Sequence, residues 1–334
     1  MGSMLKVLLI GAILGTGILF LLVLLKKRTE IKVLREGKLE LEELTREQEQ
    51  TIKWLKRTIP VELYEKAVKE KQGTKKLVPL YQSYTIMEMN TAQFAKQVKG
   101  MELEEMFQVI NDILGKTVPF VYQKKGIIEY FHKAGFVALF EESEELALEA
   151  AISISETIEA EPQSQHAKLF QDFSVGMTSG MVLAGMAGME QRMSLVTVSD
   201  SQEVAVFLQE IARKYDARIL ITGTLKQKIH AFEQKFHARK IGYLYIKATS
   251  SMEEIYDVFD GTSSAVRKNK QKTKIVFENG VEFYAKGDYE KARQYFIEVC
   301  KNNRYDGAAK EYLMQCENRL SHGNQPFVPQ IEEI

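Results

Sequence analysis

The spacing of apolar and polar positions changes character several times along this chain, and each change marks a segment. From Val7 to Leu25 no charged residue occurs, and Leu, Ile, Val and Phe dominate. At about 1.5 Å of rise per residue, such a run matches the roughly 30 Å hydrocarbon core of a bilayer. Lys26, Lys27 and Arg28 follow at once, with Lys32 and Arg35 close behind. A cleavable leader has a shorter apolar stretch and a small-x-small site after it. Residues 4–25 are therefore expected to form an uncleaved membrane anchor, a single-pass span in the cell membrane. Its basic flank places the C-terminal bulk in the cytoplasm. Gly11 and Gly15 make one face of that helix small enough for a second helix to approach, although glycine is common in membrane helices anyway.

Residues 26–59 are expected to be a helical linker. Leu34, Leu41 and Leu55 recur at one heptad position, Gln48 fills the missing place, and Leu44 stands three after Leu41. Gly37 weakens the helix locally. Two readings fit this pattern, a short coiled coil and a single solvated helix. Pro60 then opens "PVELYEKAVKEK", an amphipathic helix that Gly73 ends.

Over 60–260 strand-like and helical runs interleave. Strands are expected at 84–89, 126–131, 136–140, 173–185, 193–198 and 217–222, and helices at 102–118, 143–159 and 201–214. The tetrapeptide "HKAG" between two of the strands is a hairpin signal. Hairpins interleaved with helices predict an α+β sandwich, with helices on a largely antiparallel sheet. The polar stretch "TSSAVRKNKQKTK" predicts a linker over 261–274. Beyond it, 275–320 reads as helical: Phe277, Val281, Tyr284 and Phe296 follow the tetratricopeptide spacing, with a turn at Gly287-Asp288 and a third helix beginning near Asp306. A lone repeat of this kind cannot bury its own face, so it must lean on the main domain or on a partner. Residues 321–334 are expected to be a disordered tail.

Composition narrows the function. Forty-five per cent of residues are hydrophobic and 27% charged, a globular profile. The 45 basic residues balance 45 acidic ones, so no broad positive field exists to hold a nucleic-acid backbone. Cys300 and Cys316 are too few for a disulfide framework or an unaided zinc site, and read as free buried thiols in a reducing compartment. The glycine-rich run 176–189 lacks the Gly-Lys-Ser/Thr ending of a phosphate loop, and its glycines are assigned to backbone turns. The methionines at 177, 181, 186, 189 and 193 are assigned to the core in preference to a partner surface. His132, His166, His230, His237 and His322 show no paired ligand spacing.

"SVGMTSGMVLAGMAGMEQRMSLVTVSDSQEVAVFLQEI" (174–211) resembles the core of the class III adenylate and guanylate cyclases. Gly176, Gly180, Gly185, Gly188, Arg192 and Met193 fall where that family has its glycines and its Arg-Met pair, and Ser199-Asp200 stands for its Gly-Asp. Upstream, "QKKGIIEYFHKAGFVALF" is similar to the family hairpin "HGGxxDKFxGDxxMAVF", and "MELEEMFQVIN" to "LxPEELVELLN". A tetratricopeptide-like tail also follows many bacterial members. The resemblance covers roughly 60–320. It implies a βαββαβ-type, ferredoxin-like-derived sheet-and-helix sandwich that pairs head to tail, with active sites at the dimer interface.

In the family two aspartates hold two divalent cations, an asparagine orients the ribose, an arginine neutralises charge growing on phosphorus, and a lysine with a partner reads the base. Carried over position by position, these fall on Asn90 and Ala134 for the metal ligands, with Tyr84 as another count for the first. Tyr130 and Val196 take the base-reading positions, Glu203 that of the asparagine and Phe207 that of the arginine. None is the residue the chemistry requires, and Glu203 would repel phosphates. Glu88 and Glu129 are read as surface charge, and Asp200 as a turn residue. The expectation is therefore a pseudoenzyme with no catalytic residues, bound metal or cofactor. It would act as a membrane-anchored homodimeric scaffold, docking an unknown protein partner through the C-terminal repeat. Two alternatives stand beside it. One is a sensor binding a small apolar ligand in the former cleft; the other is a residual cyclase.

Overall fold

The computed structural model describes residues 2–71, 74–77, 79–91, 94–132, 134–141, 143–160, 172–189, 191–247, 249–321 and 332–334. The side chains of 2–16, 18, 19, 64, 67–71, 74–77, 95 and 97 are not among those described. The chain divides into two compact units, 1–59 and 60–334.

The first unit is one helix, α1 (Gly2–Leu55). Most of the side chains of the expected anchor, 4–25, lie outside the described residues. Among the described residues no helix is long and apolar enough to cross a membrane. From Phe20 onward α1 is exposed all round, and Lys32–Glu36 and Lys38–Glu42 pair along its surface at 3.8 and 3.7 Å.

The second unit opens with a short helix, α2 (Val61–Ala67). The expected continuation of that helix is instead a hairpin, β1 (Val68–Lys71) and β2 (Thr74–Leu77). The main sheet then begins with β3 (Leu80–Thr91). After α3 (Phe94–Gln97) and α4 (Leu103–Gln123) comes the β4 (Ile127–His132) and β5 (Gly135–Phe140) hairpin. The helix α5 (Glu144–Glu159) and the strands β6 (Phe173–Met189) and β7 (Arg192–Val198) follow. The next elements are α6 (Asp200–Ala212), β8 (Ile219–Thr222), α7 (Gly223–Lys228), α8 (Phe232–Lys235), β9 (Ala238–Ile246) and β10 (Ser251–Val258). The helices α9 (Ser264–Ala285), α10 (Tyr289–Asn302) and α11 (Gly307–Ser321) and the short strand β11 (Glu332–Glu333) complete it.

Among the described residues the sheet has nine strands in the order β11-β9-β10-β8-β6-β3-β5-β4, with β7 also paired to β6. It is mixed: β6 and β8 run parallel, as do β11 and β9, and the remaining pairs are antiparallel. The alternation of a strand sorts its side chains onto two faces. Phe136, Ala138 and Phe140 of β5 join Val109 and Ile113 of α4 and Leu148 and Ile154 of α5 in one core. Val137 and Leu139 turn the other way, towards Leu63, Tyr84, Ile86 and Val182. The helix α6 covers that second face by close approach. A Cβ at Gly176 would lie 2.0 Å from the Ala205 carbonyl oxygen, and one at Gly180 would lie 1.8 Å from Ser201 Oγ. These glycines, expected in turns, therefore stand in a strand and leave room for a helix.

The expected linker 261–274 is also corrected. The helix α9 starts at Ser264, capped by the Ser263 hydroxyl, which accepts from the Val266 N–H at 3.5 Å. The polar run hid the helix because its one inward cation, Lys270, is 4% exposed and donates to Asp257 Oδ2 at 2.8 Å. The helices α9–α11 pack on the main sheet, where Phe277, Val281, Phe296 and Tyr312 share a core with Leu208, Leu220, Ile241 and Leu244. Arg239 of β9 is fully buried at this junction. It donates to Asp306 Oδ2 and Oδ1 at 2.6 and 3.1 Å and to Asp257 Oδ2 at 3.3 Å, with its guanidinium 4.1 Å from the Phe277 ring centre. Of the expected disordered tail, 322–331 lies outside the described residues. Residues 332–334 are ordered against β9, the Ile334 N–H donating to the Tyr245 carbonyl at 3.1 Å.

Candidate functional site

Two groups of the positions singled out above meet in space, at different places on the sheet. The first lies where the β4–β5 turn crosses the end of β3. A Cβ added at Gly135 would sit 2.0 Å from the Met89 carbonyl oxygen and 2.8 Å from Asn90 Cα, and Thr91 Oγ1 donates to the Ala134 carbonyl at 3.3 Å. Asn90 and Ala134, the two positions that the resemblance assigns to metal ligands, are thus neighbours. Their donor set does not fit a hard cation, which requires several oxygen ligands. Ala134 is fully buried and offers no side-chain donor, and Asn90 contributes one amide whose buried Oδ1 lacks a hydrogen-bond partner. The other count for the first ligand, Tyr84, is a core residue, and burial pushes its phenol above the usual range. Among the described residues no group of three His, Cys, Asp or Glu side chains could hold a metal ion.

The second group lines a cleft of ≈ 600 Å³ between β4, β7 and α6, walled by Tyr130, Glu203, Val206, Phe207, Glu210 and Ile334, among others. Three of the four positions that the resemblance assigns to base-reading and transition-state groups, Tyr130, Glu203 and Phe207, therefore share one cleft. Val196 is not among its walls. It is exposed on β7, opposite Gly185 of β6. The helix α6 begins at Asp200 under its cap residue Ser199, whose hydroxyl donates to the Met181 carbonyl at 2.7 Å. Asp200 and Glu203 in its first turn are favourably placed for the positive end of the helix dipole. That local fit stabilises a carboxylate at position 203. Gln202 Nε2 donates to the Tyr130 hydroxyl at 3.1 Å, tying β4 to α6.

Behind Tyr130 lies a titratable cluster that corrects the reading of Glu88 and Glu129 as surface charge. Glu88 is 2% exposed, with Oε1 2.8 Å from His132 Nε2. Glu129 accepts a hydrogen bond from Thr197 Oγ1 of β7. Burial, reinforced by the Glu88 charge, pushes the Glu129 carboxyl up to about 7. Burial and the same two carboxylates raise the Tyr130 phenol, against a lowering by its Gln202 bond. A signal for Glu88 was present in the sequence: a lone acid inside the apolar strand "YTIMEM" needs a buried partner. Nothing local pointed to Gln202 or Thr197, which act through chain segments far from β4.

A folded-state carboxyl raised to about 7 binds its proton more tightly than the unfolded chain, whose value is near 4.5. The contribution of this group to stability is then greatest below about pH 4.5 and falls as pH rises towards 7, by on the order of 2–3 kcal/mol. Glu129→Gln is expected to remove that fall. Urea unfolding at about pH 5 and about pH 8, compared between wild type and variant, measures it.

The β6–β7 arm carries a further correction. Of the five methionines assigned to the core only Met177 is buried. Met181, Met189 and Met193 are exposed beside Leu183, Val196 and Val198, and Met186 is half-buried. By the β6–β7 register, Leu183 faces Val198 and Gly185 faces Val196, so Met181, Leu183, Met189, Val196 and Val198 share one face of the arm, and Met186 and Met193 lie on the other.

Comparison with known proteins accords with this arrangement. No protein-family model matches the chain. It is 25% identical over 239 residues to "Adenylate cyclase, terminal-differentiation specific" of Dictyostelium discoideum, which covers 70% of this chain and 11% of that protein. It is 24% identical over 182 residues to an adenylate cyclase of Anabaena cylindrica, covering 52% of this chain and 36% of that one. The chain thus spans about a tenth and about a third of these two relatives. It is similar in fold to a bacterial light-regulated adenylyl cyclase, with a TM-score of 0.57 at 17% identity over 67% of this chain and 64% of that one. By sequence and fold the chain is homologous to adenylate cyclases.

Proposed function

We propose that this chain is a catalytically silent homologue of the nucleotidyl cyclases, anchored in the membrane by one helix and working as a dimeric signalling scaffold. The observation that carries the reading is the Asn90–Ala134 junction. The sheet keeps these positions adjacent, but between them they supply one amide oxygen where two carboxylates are needed. Loss of a single oriented donor costs roughly 10²–10³ in rate. Here Glu203 and Phe207 also stand in for both transition-state groups. A heterodimer with an active cyclase gains nothing, since this chain lacks the metal ligands for one half of an asymmetric site and the Asn and Arg for the other.

Dimerisation is supported by the face of the β6–β7 arm on which Met181, Leu183, Met189, Val196 and Val198 are exposed together. The anchor is supported by the uncharged run Val7–Leu25 and its basic flank. Docking of a protein partner falls to the tetratricopeptide-like helices α9–α11.

Thermal shift with Mg-ATP or Mg-GTP tests the core of this reading. A ligand present at 100 times its Kd stabilises by about 2.7 kcal/mol. No rise in melting temperature is expected at millimolar nucleotide over Mg²⁺ alone. A clear rise, or cyclic nucleotide in the same tube, overturns the proposal.

A second reading, a small-molecule sensor, is favoured by the cleft itself. Tyr130, Val206 and Phe207 give it apolar walls, while Asp200, Glu203 and Glu210 line it with carboxylates and, among the described residues, no basic residue does. Such a lining suits an apolar or cationic organic molecule and repels a triphosphate. Native mass spectrometry separates the two readings: a retained small molecule supports the sensor, and an empty dimer the scaffold.

A further inference from the structure

The helix α1 runs for 54 residues, and in proteins most helical stability comes from packing an apolar face and not from propensity. Its described part carries large apolar side chains in the open, with Leu34 73% and Leu41 66% exposed. We propose that residues 31–55 form a parallel, in-register two-stranded coiled coil with a second copy of this chain, with Ile31 and Ile52 at a positions and Leu34, Leu41 and Leu55 at d. This deepens the dimeric reading above and rests on it, but it fixes a different surface.

The register follows from counting both frames. Placing Leu34, Leu41, Gln48 and Leu55 at a leaves Gly37 and Thr51 at d, with Leu44 the sole apolar d residue. Placing them at d brings Ile31 and Ile52 to a and makes five of the eight seam positions apolar; Val33, Leu39 and Trp54 fall outside either seam. Isoleucine at a with leucine at d is the combination that favours parallel two-stranded coils. The remaining seam positions are Lys38, Thr45 and Gln48. A lysine at an a position costs stability and pins the register. Lys38 already reaches sideways to Glu42, at an e position, 3.7 Å away, so its stem can lie in the seam while its ammonium stays outside.

Charge decides the orientation. In the parallel arrangement each g residue faces the e residue five places on in the other copy. Glu30 then meets Arg35, while Gly37, Leu44 and Thr51 meet Glu42, Glu49 and Lys56, and no like charges oppose. In the antiparallel arrangement that overlaps the same seam, e faces e: Glu42 meets Glu49 and Arg35 meets Lys56, which is repulsive twice over on each side. The parallel coil keeps both N-terminal segments on one side, as two copies anchored in one membrane require.

Cysteine cross-linking in the full-length chain, in mild detergent, reads this directly. Leu41→Cys, and Leu34→Cys as a second d position, bring two sulfurs within bonding range only in a parallel, in-register pair. Both are expected to form dimers on mild oxidation at least about tenfold faster than Glu43→Cys, which points outward, or than the parent chain with Cys300 and Cys316 alone. Equal rates at Leu41→Cys and Glu43→Cys overturn the proposal. So does faster linkage in a mixture of Leu41→Cys and Thr45→Cys chains than in Leu41→Cys alone, which marks an antiparallel pair. Sedimentation of residues 60–334 measures the other dimer surface separately, so failure of the seam and failure of the dimeric scaffold are told apart.

Discussion

Replacing Asp306 with alanine is expected to destabilise the second unit by about 3–5 kcal/mol, because it leaves a fully buried guanidinium short of its main partner. Arg239 donates two of its three carboxylate hydrogen bonds to Asp306 and one to Asp257, which Lys270 also holds. Burial alone would raise the Asp306 carboxyl. The Arg239 charge and hydrogen bonds, with the Ala309 N–H, outweigh it and hold the group below its ordinary value. The stability this contributes is present above the ordinary carboxylate range and is lost as pH falls through the depressed folded value. Asp306 also caps α11, accepting from the Ala309 N–H at 3.1 Å, so the variant loses a helix cap as well. Guanidinium unfolding at neutral pH measures the difference. A change below about 1 kcal/mol would mean that water reaches the arginine. Replacing Arg239, Asp257, Asp306 and Lys270 together by apolar residues of similar volume is expected to cost far less than the single change, since no charge is then stranded.

The second large effect is expected at Phe296. It is fully buried, stacked on Tyr312 with ring centres 4.6 Å apart and planes at 6°, and edge-on to Phe277 at 5.5 Å. Phe296→Ala removes both contacts and leaves a cavity beside Gly280, whose missing Cβ already accommodates the ring at 2.9 Å. A loss of about 3–5 kcal/mol is expected, read by the melting temperature of residues 60–334. Phe277 touches both this ring and the Arg239 guanidinium. The Asp306→Ala and Phe296→Ala effects should therefore fail to add, and a double-mutant cycle gives the coupling. Wild-type stability in the Phe296 variant would remove the packed-repeat description of α10.

Local patterns made the elements that alternate cleanly readable. The strands at 84–89, 136–140 and 193–198 lie inside observed strands, and the helices at 102–118 and 143–159 start one residue before the observed α4 and α5, at their cap residues Glu102 and Ser143. Phe277, Val281, Tyr284 and Phe296, chosen for repeat spacing, are all buried. What escaped was decided by tertiary partners. The strands β9 and β10 alternate weakly because Lys240, Tyr243 and Glu254 on one of their faces bond to one another and to α9. The start of α9 looked like a linker because its inward residues include a lysine. At the site, position-by-position transfer found Asn90 beside Ala134, and Tyr130, Glu203 and Phe207 around one cleft. It missed Glu88, Glu129 and His132 because a glutamate reads as surface until the strand opposite it is known.

The Arg239 junction also limits how this chain can be cut and recombined. The sequence offers an apparent seam near residue 275, where a polar stretch gives way to a repeat, and a designer of chimeras would splice there. Such a cut removes Asp306 and the ring of Phe277 while leaving Arg239 in the sheet, and it divides α9 within its own length. The portable piece is instead the whole of 60–334. A graft of the three helices onto another scaffold would need to bring a strand like β9, with its arginine, along with it.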